Sequence, residues 1–183
     1  MGARVRGVAL CSFGAHNGPD GMPLESLLSN GINGMNLADV IAMIESGGNQ
    51  YAQRFERAHL GEHAELISII GPANRISIAT ADVYAAMSHG LFQIMGFRLY
   101  GDKSASPRNL GYAGSLWKFL TDADLQREYF ALYCARTKID FTVDQLRADE
   151  TRRALFAREY NGPGNVAAYS KKLLDTIERM SRV

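Results

Sequence analysis

The sequence predicts an α+β fold that is mostly helical, a single domain with a small β wing. Apolar residues recur at helical spacing near the N-terminus and again through the C-terminal half. Short β-prone runs, separated by turn residues, lie between these two regions. The chain has 183 residues, which fits one domain and is long enough to bury a sizeable core.

Residues 1–36 are expected to form a loop-rich N-terminal arm, and residues 37–183 the folded domain. The arm is rich in Gly and Asn and contains Pro19 and Pro23, which are turn signals. Arg4 and Arg6 precede a short apolar stretch that resembles a signal peptide. This stretch contains Gly and Ser and has no clear small-x-small cleavage site, so a short strand or a packed arm is favoured.

The first helix is predicted over residues 37–46, and it places one acid in an unusual position. Asn36 can cap the helix, and Gly47 and Gly48 end it. Its apolar stripe consists of Leu37, Val40, Ile41 and Ile44. At about 100° per residue, Glu45 falls beside Ile41 at the border of the stripe.

The following region is predicted to form the β wing or an irregular insertion, and the chain is predicted to be helical from Ala81 onward. The β-prone runs are QYAQRFERA, AELISII and NRISIAT, with the turn residues GPAN between the last two. The later helices are predicted in TDADLQREYFALYCARTK, with Thr121 or Asp122 as cap, in RADETRRALFAREY, and in VAAYSKKLLDTIERM.

Composition excludes few functions but favours a soluble globular protein. Hydrophobic residues make up 46% and charged residues 21%, and the net charge is +1, so nothing demands a nucleic acid or an acidic membrane as partner. No apolar run approaches about 18 residues, so no membrane insertion is expected. Cys11 and Cys134 are expected to be small buried hydrophobic residues rather than a disulfide. No cofactor motif appears, and a monomer is expected.

Glu45 has the environment of a general acid. A helix C-terminus carries partial negative charge, and partial burial also disfavours a carboxylate, so both effects raise the pKa of Glu45. A carboxyl group that stays protonated near neutral pH can donate a proton to a leaving oxygen. The alternative is a border residue whose carboxylate simply reaches solvent.

Two further stretches, SHGLFQIMGF (88–97) and EYNGPGNVAAY (159–169), join Glu45 in a recognisable order. Together the three motifs resemble those of goose-type lysozymes and lytic transglycosylases, and their details are most similar to N-acetylmuramidase domains of phage endolysins. The matching segments are Glu45-Ser46, Gly90-Leu91-Phe92-Gln93 and Tyr160-Asn161-Gly162-Pro163-Gly164. The resemblance covers roughly residues 37–175.

The resemblance implies a lysozyme-like fold with a groove for peptidoglycan glycan strands and Glu45 as the catalytic acid. Gln93 and Asn161 are implied to bind sugar hydroxyls or N-acetyl groups, and Tyr160 to lie near the acid or the sugar. Phe92 and Met95 are implied to line the groove, and Tyr169 to face it. Ser88 matches a polar position of the family's substrate-binding set.

A second carboxylate would decide the product. Glycoside hydrolysis usually needs two carboxylates, whereas lytic transglycosylases of this superfamily use one Glu. The segment between Glu45 and Gln93 is longer than in common transglycosylases and contains four candidate acids: Glu56, Glu62, Glu65 and Asp82. Glu56 is preferred because it follows QRF, in the stretch most like the endolysin domains.

The favoured function is therefore hydrolysis of the β-1,4 bond between N-acetylmuramic acid and N-acetylglucosamine. Lytic transglycosylation, which gives 1,6-anhydro products, is the close alternative. A non-catalytic wall-binding component of a phage tail or secretion system, and a chitin-cleaving relative, are the others. The protein is expected to act at the bacterial cell wall, after release by a holin or as part of a virion or secretion machine.

Several other side chains are expected to be structural. The segment HLGEH (59–63) matches the H-x-x-E-H zinc pattern. However, Gly61 interrupts it and no third ligand follows, so no metal site is expected. His89 is expected to be a hydrogen-bonded structural residue, and Trp117, Phe119 and Tyr112 are expected to belong to the core.

Overall fold

The computed structural model describes residues 35–182 and confirms the mostly helical α+β architecture with a small β wing. Apart from Met35 and Asn36, the predicted N-terminal arm lies outside the described residues, as does Cys11. The helices are α1 (Leu37–Ser46), α2 (Ile67–Asn74), α3 (Ile78–Ala85), α4 (Gly96–Tyr100), α5 (Leu116–Thr121), α6 (Ala123–Thr137), α7 (Val143–Ala148), α8 (Glu150–Asn161) and α9 (Val166–Met180). Short 3-10 turns cover Arg57–His59, Ala64–Leu66 and Pro163–Asn165.

Helix α1 begins and ends as predicted. The Asn36 side chain accepts a hydrogen bond from the Asp39 N–H at 2.9 Å, which caps the first turn. Gly47 has a φ of 64°, and its N–H donates to the Met43 carbonyl while that of Gly48 donates to the Ala42 carbonyl. These bonds satisfy two carbonyls at the helix end, and the left-handed Gly47 turns the chain away directly after Ser46.

The β wing is smaller than predicted and is built partly from other residues. Its strands are β1 (Gln53–Phe55), β2 (Met87–His89) and β3 (Ile94–Met95), in the antiparallel order β1-β2-β3. Arg54 pairs with Ser88, and Ser88 pairs with Met95 on its other side. The first predicted run therefore contains a strand, but the prediction that the chain is helical throughout from Ala81 is wrong over β2 and β3.

The prediction of strands in AELISII and NRISIAT is also wrong, because these runs form the 3-10 turn, α2 and α3. The Ser77 side chain accepts a hydrogen bond from the Thr80 N–H and caps α3. Ile70 is fully buried whereas Ile69 and Ile78 are exposed. A short isoleucine-rich run does not by itself distinguish a strand from a helix, and here helix caps and burial decide.

The C-terminal helices form the frame on which the candidate site is built. Asp122 caps α6 by accepting a hydrogen bond from the Leu125 N–H at 2.9 Å, as predicted. Helix α9 packs against both α1 and α8. Cys134 of α6 is fully buried, as expected for a small hydrophobic residue. No helix within residues 35–182 has both the length and the apolar character to cross a membrane.

The expectation that Trp117 belongs to the core is wrong, whereas Phe119 and Tyr112 are buried as expected. The side chain of Trp117 is 73% exposed. Helix α5 buries Leu116, Phe119 and Leu120. This i, i+3, i+4 spacing defines one buried face, so the position after Leu116 points to solvent.

Candidate active site

A cleft of about 320 Å³ opens between the β wing and the C-terminal helices and contains most of the predicted site residues. Its lining is formed by Glu45, Arg54, Glu56, His59, Phe92, Gln93, Ile94, Met95, Phe97, Arg98, Phe130, Tyr133, Tyr160 and Asn161. Ser88 and Tyr169 are the predicted site residues that do not line it. They lie behind the lining and hold two of its members.

Glu45 projects into the cleft from the last turn of α1. The hydroxyl group of Tyr169 donates a hydrogen bond to the Glu45 Oε1 at 2.5 Å. Lys172 Nζ donates to the carbonyl of Ile44 at 2.9 Å, which satisfies one of the free carbonyls at the helix end. Both contacts come from α9, which thereby fixes the end of α1 and its acid.

The pKa of Glu45 is raised above its ordinary value. Burial is the main cause, because it disfavours the charged form. The hydrogen bond from Tyr169 and the positive charges of Lys172 and Arg54 act in the opposite direction and only partly offset burial. The carboxyl group is therefore more readily protonated than an ordinary glutamate, which is the property that a general acid needs.

Glu56 lies directly after β1 and lines the same cleft as Glu45. Its carboxylate forms an ion pair with the guanidinium of Arg54, and its backbone N–H donates to the Ala86 carbonyl at 3.0 Å. The strand periodicity places residues i and i+2 on one face, so the sequence could have indicated Arg54 as the partner of Glu56.

The other three candidate acids do not line the cleft. Glu62 contacts His59 Nδ1 at 2.9 Å, and Glu65 lies 3.6 Å from His63 Nδ1. Asp82 accepts a hydrogen bond from the Gly61 N–H. The geometry therefore separates Glu56 from the remaining acids of this segment.

Gln93 occupies the tight turn between β2 and β3 and is held by its own chain. Its backbone is left-handed, with a φ of 47°, a conformation that a non-glycine residue adopts only when its surroundings require it. Its Nε2 donates to the carbonyls of Ala52 and Gly90, and its Oε1 accepts from the hydroxyl of Ser88 at 2.8 Å. Both N–H groups are used, so one lone pair on Oε1 is the capacity left for a ligand.

Ser88 is fully buried and therefore supports Gln93 instead of facing the cleft. Its hydroxyl donates to Gln93 Oε1 and lies 3.4 Å from the Arg54 carbonyl. His89, the next residue, is also fully buried, with Gln53 and the Tyr84 carbonyl as its hydrogen-bond partners. Burial lowers the pKa of His89 to about 4, consistent with a neutral structural histidine.

An aromatic wall closes the cleft on the side of the C-terminal helices. Phe92 stacks on Phe130 with ring centroids 4.3 Å apart, and Tyr160 contacts the ring of Phe130 edge-on. The Tyr160 hydroxyl donates to the Phe92 carbonyl at 2.8 Å. Tyr160 therefore fixes the backbone beside Gln93, while the contact to the acid comes from Tyr169. Asn161 is exposed at the end of α8.

Sequence reasoning missed several cleft residues and the main role of Tyr169. Tyr169 lies on the buried face of α9 with Leu173, Thr176 and Ile177. The hydroxyl of a buried tyrosine needs a hydrogen-bond partner, so the position of Tyr169 on this face could have indicated a polar contact. Arg98 and Tyr133, which are linked by a hydrogen bond of 3.2 Å, stand in no motif that would have identified them.

One group of side chains at the rim of the cleft has the composition of a metal site. Ligand atoms of His59, Glu62 and His63 all lie within 4.8 Å of one another. Of these three residues, His59 also lines the cleft.

Comparisons with known proteins give a matching family and a similar protein. The N-acetylmuramidase family matches residues 42–181. An endolysin of Enterobacteria phage PRD1 is 31% identical over 139 residues, which is 72% of this chain and 89% of that protein. Comparison with solved structures gives no significant match.

Proposed function

Because the chain belongs to the N-acetylmuramidase family, we propose that it is a peptidoglycan-degrading glycosidase of the endolysin type. The bond cleaved is the β-1,4 linkage between N-acetylmuramic acid and N-acetylglucosamine. The family match lies within residues 37–183, which supports assigning the catalytic domain to that range.

The observation that carries the proposal is the state of Glu45. It lies in a cleft, its pKa is raised by burial, and it accepts a hydrogen bond from Tyr169. In the proposed mechanism the protonated carboxyl group donates its proton to the bridging oxygen as the glycosidic bond breaks. The sugar on the other side of the bond then develops positive charge, which a carboxylate can stabilise or water can attack.

Glu56 is the proposed second carboxylate. It lines the same cleft as Glu45, whereas Glu62, Glu65 and Asp82 do not. Its role is to activate water or to stabilise the developing cation, and this role favours hydrolysis over transglycosylation. The ion pair with Arg54 holds the carboxylate on the cleft side of β1.

The remaining cleft residues are proposed to bind the glycan. Gln93 Oε1 accepts a hydrogen bond from a sugar hydroxyl or an N-acetyl N–H. The buried Ser88 hydroxyl, which donates to the same oxygen, positions the Gln93 side chain. The exposed Asn161 is proposed to use its side-chain amide for the same purpose as Gln93. Phe92, Met95 and Tyr160 provide the apolar wall against which sugar rings pack, with Tyr160 also bonded to the Phe92 carbonyl.

Mass spectrometry of the products from purified peptidoglycan tests the reaction type. Hydrolysis gives fragments that end in reducing N-acetylmuramic acid. Fragments lighter by one water, with a 1,6-anhydro ring, would instead establish transglycosylation by Glu45 alone. The Glu56→Gln variant completes the experiment, since unchanged turnover would exclude Glu56 as the second carboxylate.

We also propose that the protein reaches the cell wall during phage lysis. The similar PRD1 protein is named an endolysin, which supports this setting. Release through a holin is the favoured route. Co-expression in a bacterial host with and without a holin tests it, because lysis that needs no holin would contradict this route.

A further inference from the structure

We propose that His59, Glu62 and His63 form a binding site for a divalent transition-metal ion, with Zn²⁺ as the representative ion. The site lies at the rim of the cleft, and none of its three ligands takes part in the proposed glycosidase chemistry. It uses residues that the reaction does not require, apart from the place of His59 in the cleft lining.

The distances suit one ion. In a tetrahedral zinc site with ligands about 2.1 Å from the metal, two ligand atoms lie about 3.4 Å apart. The ligand atoms of the three residues lie within 4.8 Å of one another, and His59 Nδ1 is 2.9 Å from Glu62 Oε2. Side-chain rotations that adjust these separations would bring all three donors to bonding distance.

Ring stacking and a backbone turn already order this segment. The imidazole of His63 stacks on Phe97 at 4.1 Å with an interplanar angle of 19°, and the ring of His59 lies 5.0 Å from the same ring. Gly61 turns the chain with a φ of 80°, and its N–H donates to the Asp82 carboxylate. Because the turn is held in place by these contacts, metal binding would cost little conformational entropy.

The ligand set favours a borderline transition metal over calcium or magnesium. Two imidazoles and one carboxylate are a ligand combination that zinc uses, and they leave a fourth position for water or another ligand. Glu65, which lies 3.6 Å from His63 Nδ1, is placed to orient that ring from outside the coordination shell. The interruption at Gly61 rules out a helical H-x-x-E-H arrangement but not this turn-based one.

The site is connected to the cleft through a single turn. The backbone N–H of His59 donates to the Glu56 carbonyl at 2.9 Å. An ion that fixes His59 therefore also restrains the turn that carries Glu56. We expect metal binding to raise the melting temperature of the protein.

Calorimetric titration of the full, untagged, chelator-treated chain with ZnCl₂ tests the proposal. We expect binding of one ion with micromolar or tighter affinity. His59→Gln, Glu62→Gln and His63→Gln should each weaken it by at least about tenfold. Glu128→Gln applies the same change as Glu62→Gln to an exposed acid of α6 that is not part of this cluster, and it should leave the affinity unchanged. Circular dichroism checks that each variant is folded.

Nuclear magnetic resonance of the imidazole nitrogens provides a readout in the unaltered protein. Added Zn²⁺ should shift the ring resonances of His59 and His63 and leave those of His89 in place. The proposal is overturned if the protein does not bind Zn²⁺, or if binding persists in the three variants. It is equally overturned if the shifts appear on other histidines, because the ion then binds elsewhere.

Discussion

At Glu45, burial and local charges act against each other. Burial favours the protonated acid, whereas Tyr169, Lys172 and Arg54 favour the carboxylate, and burial prevails. With these opposing effects, the Glu45 carboxyl group is protonated more readily than an ordinary glutamate and can still donate its proton. It also means that single substitutions around Glu45 should tune the pH range of activity in a direction that can be worked out.

Tyr169→Phe is expected to move the alkaline limb of the pH–activity profile to higher pH. The lost hydrogen bond had lowered the pKa of Glu45, so its removal raises that pKa and the acid stays protonated further into the alkaline range. Lys172→Met should also move the alkaline limb to higher pH, but by a smaller amount. The charge of Lys172 lowers the pKa of Glu45 less than the Tyr169 hydrogen bond does, and the Lys172 side chain is exposed. Activity on purified cell wall across pH measures both shifts.

Lys171→Met is the matched control for Lys172→Met. Lys171 is the adjacent lysine, pairs with Asp175 and is not among the charges that act on the pKa of Glu45. The pH–activity profile of Lys171→Met should match that of the unaltered protein. A shift of the alkaline limb to lower pH in Tyr169→Phe would contradict the account of Glu45.

Sequence reasoning located Glu45 but could not locate its partners. The border position of Glu45 followed from helix periodicity and from the glycines behind it. Tyr169 is 124 residues away in the chain and reaches Glu45 only because α9 packs against α1. No local pattern encodes that packing, although the buried position of Tyr169 on α9 implied some partner for its hydroxyl.

Among the elements, long helices with clear caps were predicted well and short elements were not. Helices α1, α6 and α9 are ten residues or longer, and Asn36 and Asp122 cap as expected. Strands β2 and β3 have three and two residues, too few for any alternation to be read. The hairpin is defined instead by tertiary contacts, such as the hydrogen bond from the Leu91 N–H to the side chain of Gln126.

The junction between β3 and α4 should tolerate no side chain at Gly96. A Cβ at this position would lie 2.0 Å from the Tyr84 carbonyl oxygen, which is backbone and cannot move aside without shifting α3. Gly96→Ala should therefore lower the free energy of unfolding by about 1–3 kcal/mol or more, as overpacking does. Urea denaturation measures the change.

Gly164→Ala is the comparison for Gly96→Ala. A Cβ at Gly164 meets no atom within 4 Å, and its φ is not in the left-handed region. Its free energy of unfolding should stay close to that of the unaltered protein. Equal stability of the two variants would show that the packing of α4 against the end of α3 is not as tight as described.

In the whole molecule, the cleft is assembled from parts that are distant in the chain. Helix α1 contributes Glu45, the β wing contributes Glu56 and Gln93, and α8 contributes Tyr160. The ordered motifs indicated that these residues belong together, because they resemble those of a family with one shared groove. The motifs could not show that Ser88 and Tyr169 act from behind the lining, since that depends on burial in the folded protein.

The most direct test of the central claim is the rate at which Glu45→Gln solubilises purified peptidoglycan. Glutamine keeps the size of the side chain but cannot donate the proton, so we predict a loss of at least about a hundredfold. Glu128→Gln, which changes an exposed acid of α6 outside the cleft, should keep full activity. A folded Glu45→Gln protein that retains activity within a few-fold of the unaltered one would contradict the assignment of Glu45 as the general acid.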